Sequence, residues 1–183
     1  MRRSSFKYFA LKSALAVVFL LLLSCLPVKA QYNENIIKAA YIERIMRFVE
    51  WPVKDSLRSL NTYIIGVYDE NDFYNTLKEV FKDKPIKEHQ VKIIPMKSPE
   101  QINTCNLCYI SGRAISIISK FVDAANSSGI LLMSASTDFC KAGVHINFYI
   151  EDEKLKFEIN EKSIATAGFK VSYLLMQSTR IVQ

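Results

Sequence analysis

Four short runs constrain this chain most: Tyr63-Ile-Ile-Gly-Val-Tyr68, Val91-Lys-Ile-Ile94, Leu107 to Ser111 and Ile130 to Ser134. Each is apolar and rich in β-branched or aromatic residues, the composition of a strand covered on both faces. Between them lie stretches with helical spacing. Asn35 to Phe48 carries Ile37, Tyr41, Ile45 and Phe48 on one predicted stripe, and Trp51-Pro52 is expected to end that helix. Asn71 or Asp72 can cap a second helix through Phe81, and Arg113 to Ala125 places Ile117, Phe121 and Ala124 one helical turn apart. Pro95 is expected to stop the second strand. Strands alternating with helices pair in parallel through right-handed crossovers.

The end of the chain changes pattern. Val144 to Ile150 and Leu155 to Ile159 alternate apolar and polar residues around Glu151-Asp-Glu-Lys154, which predicts an antiparallel hairpin. Asn160 then stands at an N-cap, with Glu161 in the first turn. Ile164, Ala167, Phe169, Val171, Leu174, Leu175 and Ser178 are spaced to form the face of a closing helix. The expected fold is therefore a single α/β domain. Its mostly parallel central sheet is flanked by helices and ends in a C-terminal antiparallel hairpin followed by a helix.

Residues 1–30 read as a secretory signal peptide. Arg2, Arg3, Lys7 and Lys12 are basic, Ala14 to Leu23 is unbroken apolar sequence, and Val28-Lys29-Ala30 offers a cleavage site before Gln31. Leu22-Leu23-Ser24-Cys25 leaves open the alternative of a lipoprotein anchored through Cys25. Removing the leader leaves residues 31–183, with 19 basic and 18 acidic groups in place of the precursor's 24 and 18. A near-neutral domain without a basic stripe excludes nucleic acid as its natural partner.

Catalytic patterns are missing. There is no Gly-x-Ser-x-Gly turn, and five glycines do not form a phosphate loop. His89 and His145 fall in different segments, too few for a transition-metal centre, so neither a metal nor a cofactor is expected. The expected chain is not an enzyme. Cys105, Cys108 and Cys140 are the thiols of residues 31–183. Cys105-x-x-Cys108 lacks the helix N-terminus that activates a redox pair, and residues three apart in an extended strand stand about 10 Å apart. A disulfide between them requires Cys105 to turn back before the strand begins. All three read as core thiols, although a loop-borne Cys140 could also link two copies.

The hairpin-plus-helix from Gly143 to Leu175, with Phe48-Val-Glu-Trp-Pro52 and Cys105-Asn-Leu-Cys-Tyr-Ile-Ser111, resembles the YfiR-like family of periplasmic regulators. The resemblance implies a small periplasmic homodimer that binds the periplasmic sensory domain of an inner-membrane signalling protein. That partner is a diguanylate cyclase or a sensor kinase, and binding would repress it and so control cyclic-di-GMP signalling and biofilm. Members typically carry two disulfides, and Cys105 and Cys140 match one position of each. No cysteine between Trp51 and Thr104, or after Cys140, supplies their partners.

Two sets of candidate residues follow. Tyr41, Arg44, Arg47 and Trp51 combine the aromatic and arginine side chains enriched at protein interfaces. Asp69, Asn71, Ser111, Arg113, Ser134 and Ser136 fall after strands, where parallel α/β sheets hold small ligands. The first set suits a regulator, and the second suits a ligand-binding module.

Overall fold

The computed structural model describes residues 34–52 and 61–182. The expected signal peptide and Cys25 lie outside these residues. In chain order the elements are α1 (Glu34–Phe48), β1 (Val49–Glu50), β2 (Thr62–Tyr68), α2 (Asn71–Val80), β3 (Gln90–Met96) and β4 (Leu107–Ile110). There follow α3 (Ile118–Ser128), β5 (Leu131–Ser134), β6 (Ile146–Glu151), β7 (Lys154–Asn160), α4 (Glu161–Thr166), β8 (Lys170–Val171), α5 (Tyr173–Met176) and β9 (Arg180–Val182). Single 3-10 segments at Pro99–Thr104 and Gly112–Ile117 lead into β4 and α3. Among the described residues, no helix is long and apolar enough to cross a membrane.

Seven strands form the central sheet in the order β3-β2-β4-β5-β6-β7-β9. Pairing is parallel from β3 through β6, antiparallel between β6 and β7, and parallel again between β7 and β9. This is the expected α/β architecture. Alternation along the strands divides the interior in two. Ile65, Val67, Leu107, Tyr109, Leu131 and Met133 meet α1 and α2 residues such as Ile42, Met46, Phe73 and Leu77 in one core. Cys108, Ile110 and Leu132 meet Phe121, Ala125 and Val144 in the other.

Several boundaries differ from expectation for physical reasons. Helix α1 buries Lys38, Ala39, Ile42, Ile45 and Met46, so its inner face is rotated from the predicted stripe; Ile37, Tyr41 and Phe48 flank it. Glu70, not Asn71 or Asp72, precedes α2, and its side chain makes no capping bond. β3 continues through Pro95 to Met96 because it is the sheet edge, where a missing N–H breaks no ladder. Residues 126–128, expected as loop, complete α3, which closes on left-handed Gly129.

The hairpin turn places both Asp152 and Glu153 at positive φ, 51° and 59°, the backbone of a tight two-residue connection. Asn160 is the N-cap of α4, and its Oδ1 accepts from Ser163 N at 2.8 Å. The single closing helix does not form. Gly168 at φ 79° ends the first piece. The remainder becomes β8, which pairs antiparallel with β1, then α5 and β9.

Asn160 serves two elements, since its Nδ2 also donates to the Cys140 carbonyl at 2.7 Å. Replacing it with Ala removes a cap and strands a buried carbonyl. Asn160→Ala should cost roughly 2–3 kcal/mol in chemical denaturation. An unchanged midpoint would refute this double role.

Candidate functional site

The residues chosen for a partner surface lie around the C-terminal end of α1. Tyr41 turns inward: its hydroxyl donates to the Leu155 carbonyl at 3.3 Å, and its ring packs against Phe148 and Phe157. Arg44 and Arg47 are exposed. The Arg47 guanidinium donates to Glu43 Oε1 through Nε at 3.1 Å and Nη2 at 3.0 Å, while Lys84 pairs with the other oxygen of Glu43. Burial pushes the Glu43 carboxyl up, but hydrogen bonds from Lys84 and Arg47 more than offset it and hold the acid below its ordinary range. Lys87 lies beside them and donates to the Val49 carbonyl at 3.4 Å. Its ammonium is shifted down, chiefly by burial; Glu50 opposes the shift and Arg47 adds to it.

Trp51 is half-buried and begins an aromatic ladder. It stacks on Tyr63 at 5.6 Å between ring centroids, and Tyr63 meets His89 at 4.7 Å. The edge of Phe169 touches Trp51 at 6.2 Å, and Trp51 Nε1 donates to the Asn106 carbonyl at 3.3 Å. Asn106 itself ties neighbouring strands together, accepting from Ile64 N through Oδ1 at 2.8 Å. The Trp51 indole is therefore held in one orientation by the base of the sheet. Next to the ladder, Ile86 and His89 exchange backbone hydrogen bonds of 2.9 Å around Lys87 and Glu88, both at positive φ. The outcome is a rigid aromatic strip beside Lys87, with Arg47 and Lys84 paired to Glu43 nearby and Arg44 exposed on the same helix as Arg47. Tyr63, Lys84, Lys87 and His89 were missed by sequence reasoning. Their lone signal was the turn-forming Lys84-Pro85 segment, which gives no hint of proximity to Trp51.

The second set follows the carboxyl ends of β2, β4 and β5. Asp69 and Arg113 form an exposed ion pair, with Nε to Oδ2 at 2.6 Å, and Arg113 Nη2 also donates to the Asp69 carbonyl. The Ser111 hydroxyl accepts from Arg113 N at 3.3 Å as an N-cap. Ser134 is buried, and its hydroxyl donates to the Ile110 carbonyl at 2.9 Å. Ser136 N donates to Asn147 Oδ1 at 3.0 Å, while Asn71 is exposed in the first turn of α2. The topology thus gathers these loops at one end of the sheet, where several of their polar groups bind one another.

Asn147 extends that arrangement along the sheet. Its Nδ2 donates to Glu158 Oε1 at 3.1 Å, and Arg180 Nε donates to Glu158 Oε2 at 3.0 Å. The Arg180 guanidinium lies 3.9 Å from the centre of the Tyr149 ring. A buried carboxylate is stable only with such partners.

The three described thiols are free and buried. Cys105 lies before β4, at the end of a 3-10 turn, rather than extended along the strand. It turns back before the strand begins, the condition that closeness to Cys108 requires, and its thiol donates to the Ile102 carbonyl at 3.1 Å. Burial first, and Cys105 second, push the Cys108 thiol well above its ordinary range. Cys140 is pushed up to about 12, mainly by burial, with the Glu158 charge adding to the shift. Among the described residues, no three His, Cys, Asp or Glu side chains converge as metal ligands.

His145 is a core histidine. Its Nδ1 accepts from Leu132 N at 3.0 Å, and its Nε2 donates to Asn126 Oδ1 at 2.8 Å. Burial lowers its pKa to about 4. The folded ring stays neutral while the unfolded ring binds a proton below about pH 6.5. Its contribution is complete above pH 6.5 and is lost as pH falls towards 4. Denaturation at pH 7 and at pH 4.5 should differ by roughly 2 kcal/mol from this residue. His145→Gln should flatten that difference; an identical pH slope in the variant would refute the assignment.

A family model described as YfiR/HmsC-like matches residues 35–179. No curated protein matches the chain in sequence. Among solved structures, the ABC domain in complex with L-Trp from Streptococcus pneumonia aligns at TM-score 0.52 and 14% identity, covering 77% of this chain. A conserved domain protein from Vibrio cholerae aligns at 0.57 and 12% identity over 82% of this chain. The ligand-free, open form of a substrate binding protein with adhesive properties from Clostridium difficile aligns at 0.51 and 13% identity over 66%. The chain spans 59%, 60% and 54% of those three proteins. At such identities the likeness is one of fold.

Proposed function

This chain belongs to the YfiR/HmsC-like family, and we propose that it is a periplasmic regulator of diguanylate cyclase signalling. The family match across residues 35–179 is the observation that carries this reading. The finer reading is that it binds and represses the periplasmic sensory domain of an inner-membrane signalling protein, as a homodimer. A diguanylate cyclase is the first candidate partner and a sensor kinase the second; with a cyclase, the output is cyclic-di-GMP and biofilm.

An ordered aromatic strip supports this reading. Trp51 and Tyr63 are prepaid in conformational entropy, because stacking and the Asn106 hydrogen bond already fix them. Arg44 and Arg47, exposed near the end of the helix that leads to Trp51, would steer an acidic partner surface into place. Regulation then follows from a difference in affinity for two states of the sensory domain. About 1–3 kcal/mol of such a difference suffices for graded control.

A ligand-binding role is the second reading. It draws on the polar loops after β2, β4 and β5 and on the fold likeness to a substrate binding protein. The two readings are compatible, since a ligand at the strand ends could tune partner affinity. The mutual engagement of Asp69, Ser111 and Arg113, and the bond of Ser134 to the Ile110 carbonyl, favour the regulator reading.

Cross-linking the tagged protein in the periplasm of its host should recover one membrane sensor with a periplasmic domain. Arg44→Glu with Arg47→Glu should abolish that recovery while the circular dichroism spectrum stays native. Recovery of copies of this chain alone would sink the regulator reading. Undiminished capture by the double variant would sink the assignment of this face.

A further inference from the structure

A different part of the molecule gathers three sulfur atoms. Cys108 Sγ donates to Met96 Sδ at 3.5 Å, and Cys105 is buried in the same cluster. Met96 and Cys105 face Gly66, which is the partner of Cys108 in the β2–β4 register. A Cβ at position 66 would overlap Met96 Sδ and stand 3.2 Å from Cys105 Sγ. Glycine weakens the interior of a strand, and here its missing side chain makes room for the sulfurs. Ile102, Ile110, Phe121 and Leu132 belong to the same apolar cluster, whose side chains offer no oxygen or nitrogen ligand.

We propose that Met96, Cys105 and Cys108 form a binding site for one soft monovalent metal ion, Cu(I) being the natural occupant. A thiolate and a thioether are the donors that select such an ion, with the Cys105 sulfur as a weaker third contact. Charge settles the valence. The Cys105 thiol donates to the Ile102 carbonyl at 3.1 Å and keeps its proton. Cys108 then supplies the single thiolate: its S–H bond breaks, a sulfur–metal bond forms, and the proton leaves to solvent. One thiolate and one monovalent cation leave the buried site neutral, whereas a divalent ion would leave an uncompensated charge. Zinc would also require a fourth ligand that the cluster lacks. Met96 ends the edge strand β3 and is 5% exposed, so the ion enters on its side.

Because Cys108 donates its S–H to Met96 Sδ in the free protein, binding must displace that proton. Affinity should rise about tenfold per pH unit, one proton being released per ion. The test is anaerobic titration of the reduced protein with Cu(I) against a competing bathocuproine chelator, with X-ray absorption to count sulfur neighbours. The expected result is one retained ion with three sulfur neighbours and no comparable retention of Zn(II).

Cys108→Ala should abolish retention. Met96→Leu, which conserves volume and so keeps the fold, should weaken it by more than about tenfold. Cys140→Ser should leave it unchanged. Failure of the reduced protein to hold Cu(I) overturns the proposal. So does binding that survives Cys108→Ala, is indifferent to Met96→Leu, or disappears with Cys140→Ser.

Discussion

Two-sided burial of a four-residue strand is the constraint on which the molecule depends. Leu107, Cys108, Tyr109 and Ile110 in β4 are almost wholly withdrawn from solvent. Alternate side chains must therefore enter different cores, and both faces of the sheet must be covered. Helices α1 and α2 cover one face, while α3 with its 3-10 lead-in covers the other. Parallel pairing follows, since crossovers that carry a helix return the chain in the same direction. The loops after β2, β4 and β5 are consequently brought to one end, and Trp51 is held at the start of β4 through the carbonyl of Asn106.

Buried polar groups are placed where that scheme would otherwise leave backbone unpaired. His145 takes the amide of Leu132, Asn106 takes that of Ile64, and Asn160 caps α4 while holding the Cys140 carbonyl. Every buried side-chain nitrogen or oxygen among the described residues has a partner. Each group joins elements distant in sequence, so losing one costs the desolvation of its partner as well as a bond. The candidate interface gains from the same economy of motion. A tryptophan already fixed by stacking has little freedom left to lose on binding.

The strands were legible because short β-branched runs bounded by turn residues carry their own signal. Asn160 was legible because a cap is local. What sequence did not reveal depended on tertiary context. The inner face of α1 follows Ile42 and Met46 because the sheet and α2 decide which side is covered. Pro95 is compatible with β3 since that strand is an edge, a fact of strand order. The C-terminal helix splits because Gly168 adopts a left-handed backbone and Val171 pairs with Val49, 122 positions earlier. The Trp51–Tyr63–His89 ladder joins three separate segments, so no local window contains it.

The proline at the edge has a wider consequence. An exposed strand with free donors and acceptors is a template on which another chain can build. Pro95 has no amide hydrogen to offer, so a strand laid along β3 would lose a rung beside Met96. Growth of the sheet from one molecule to the next is thereby discouraged on that side. Association there must use side-chain surfaces rather than shared backbone, so copies of the chain can meet at that edge without polymerising.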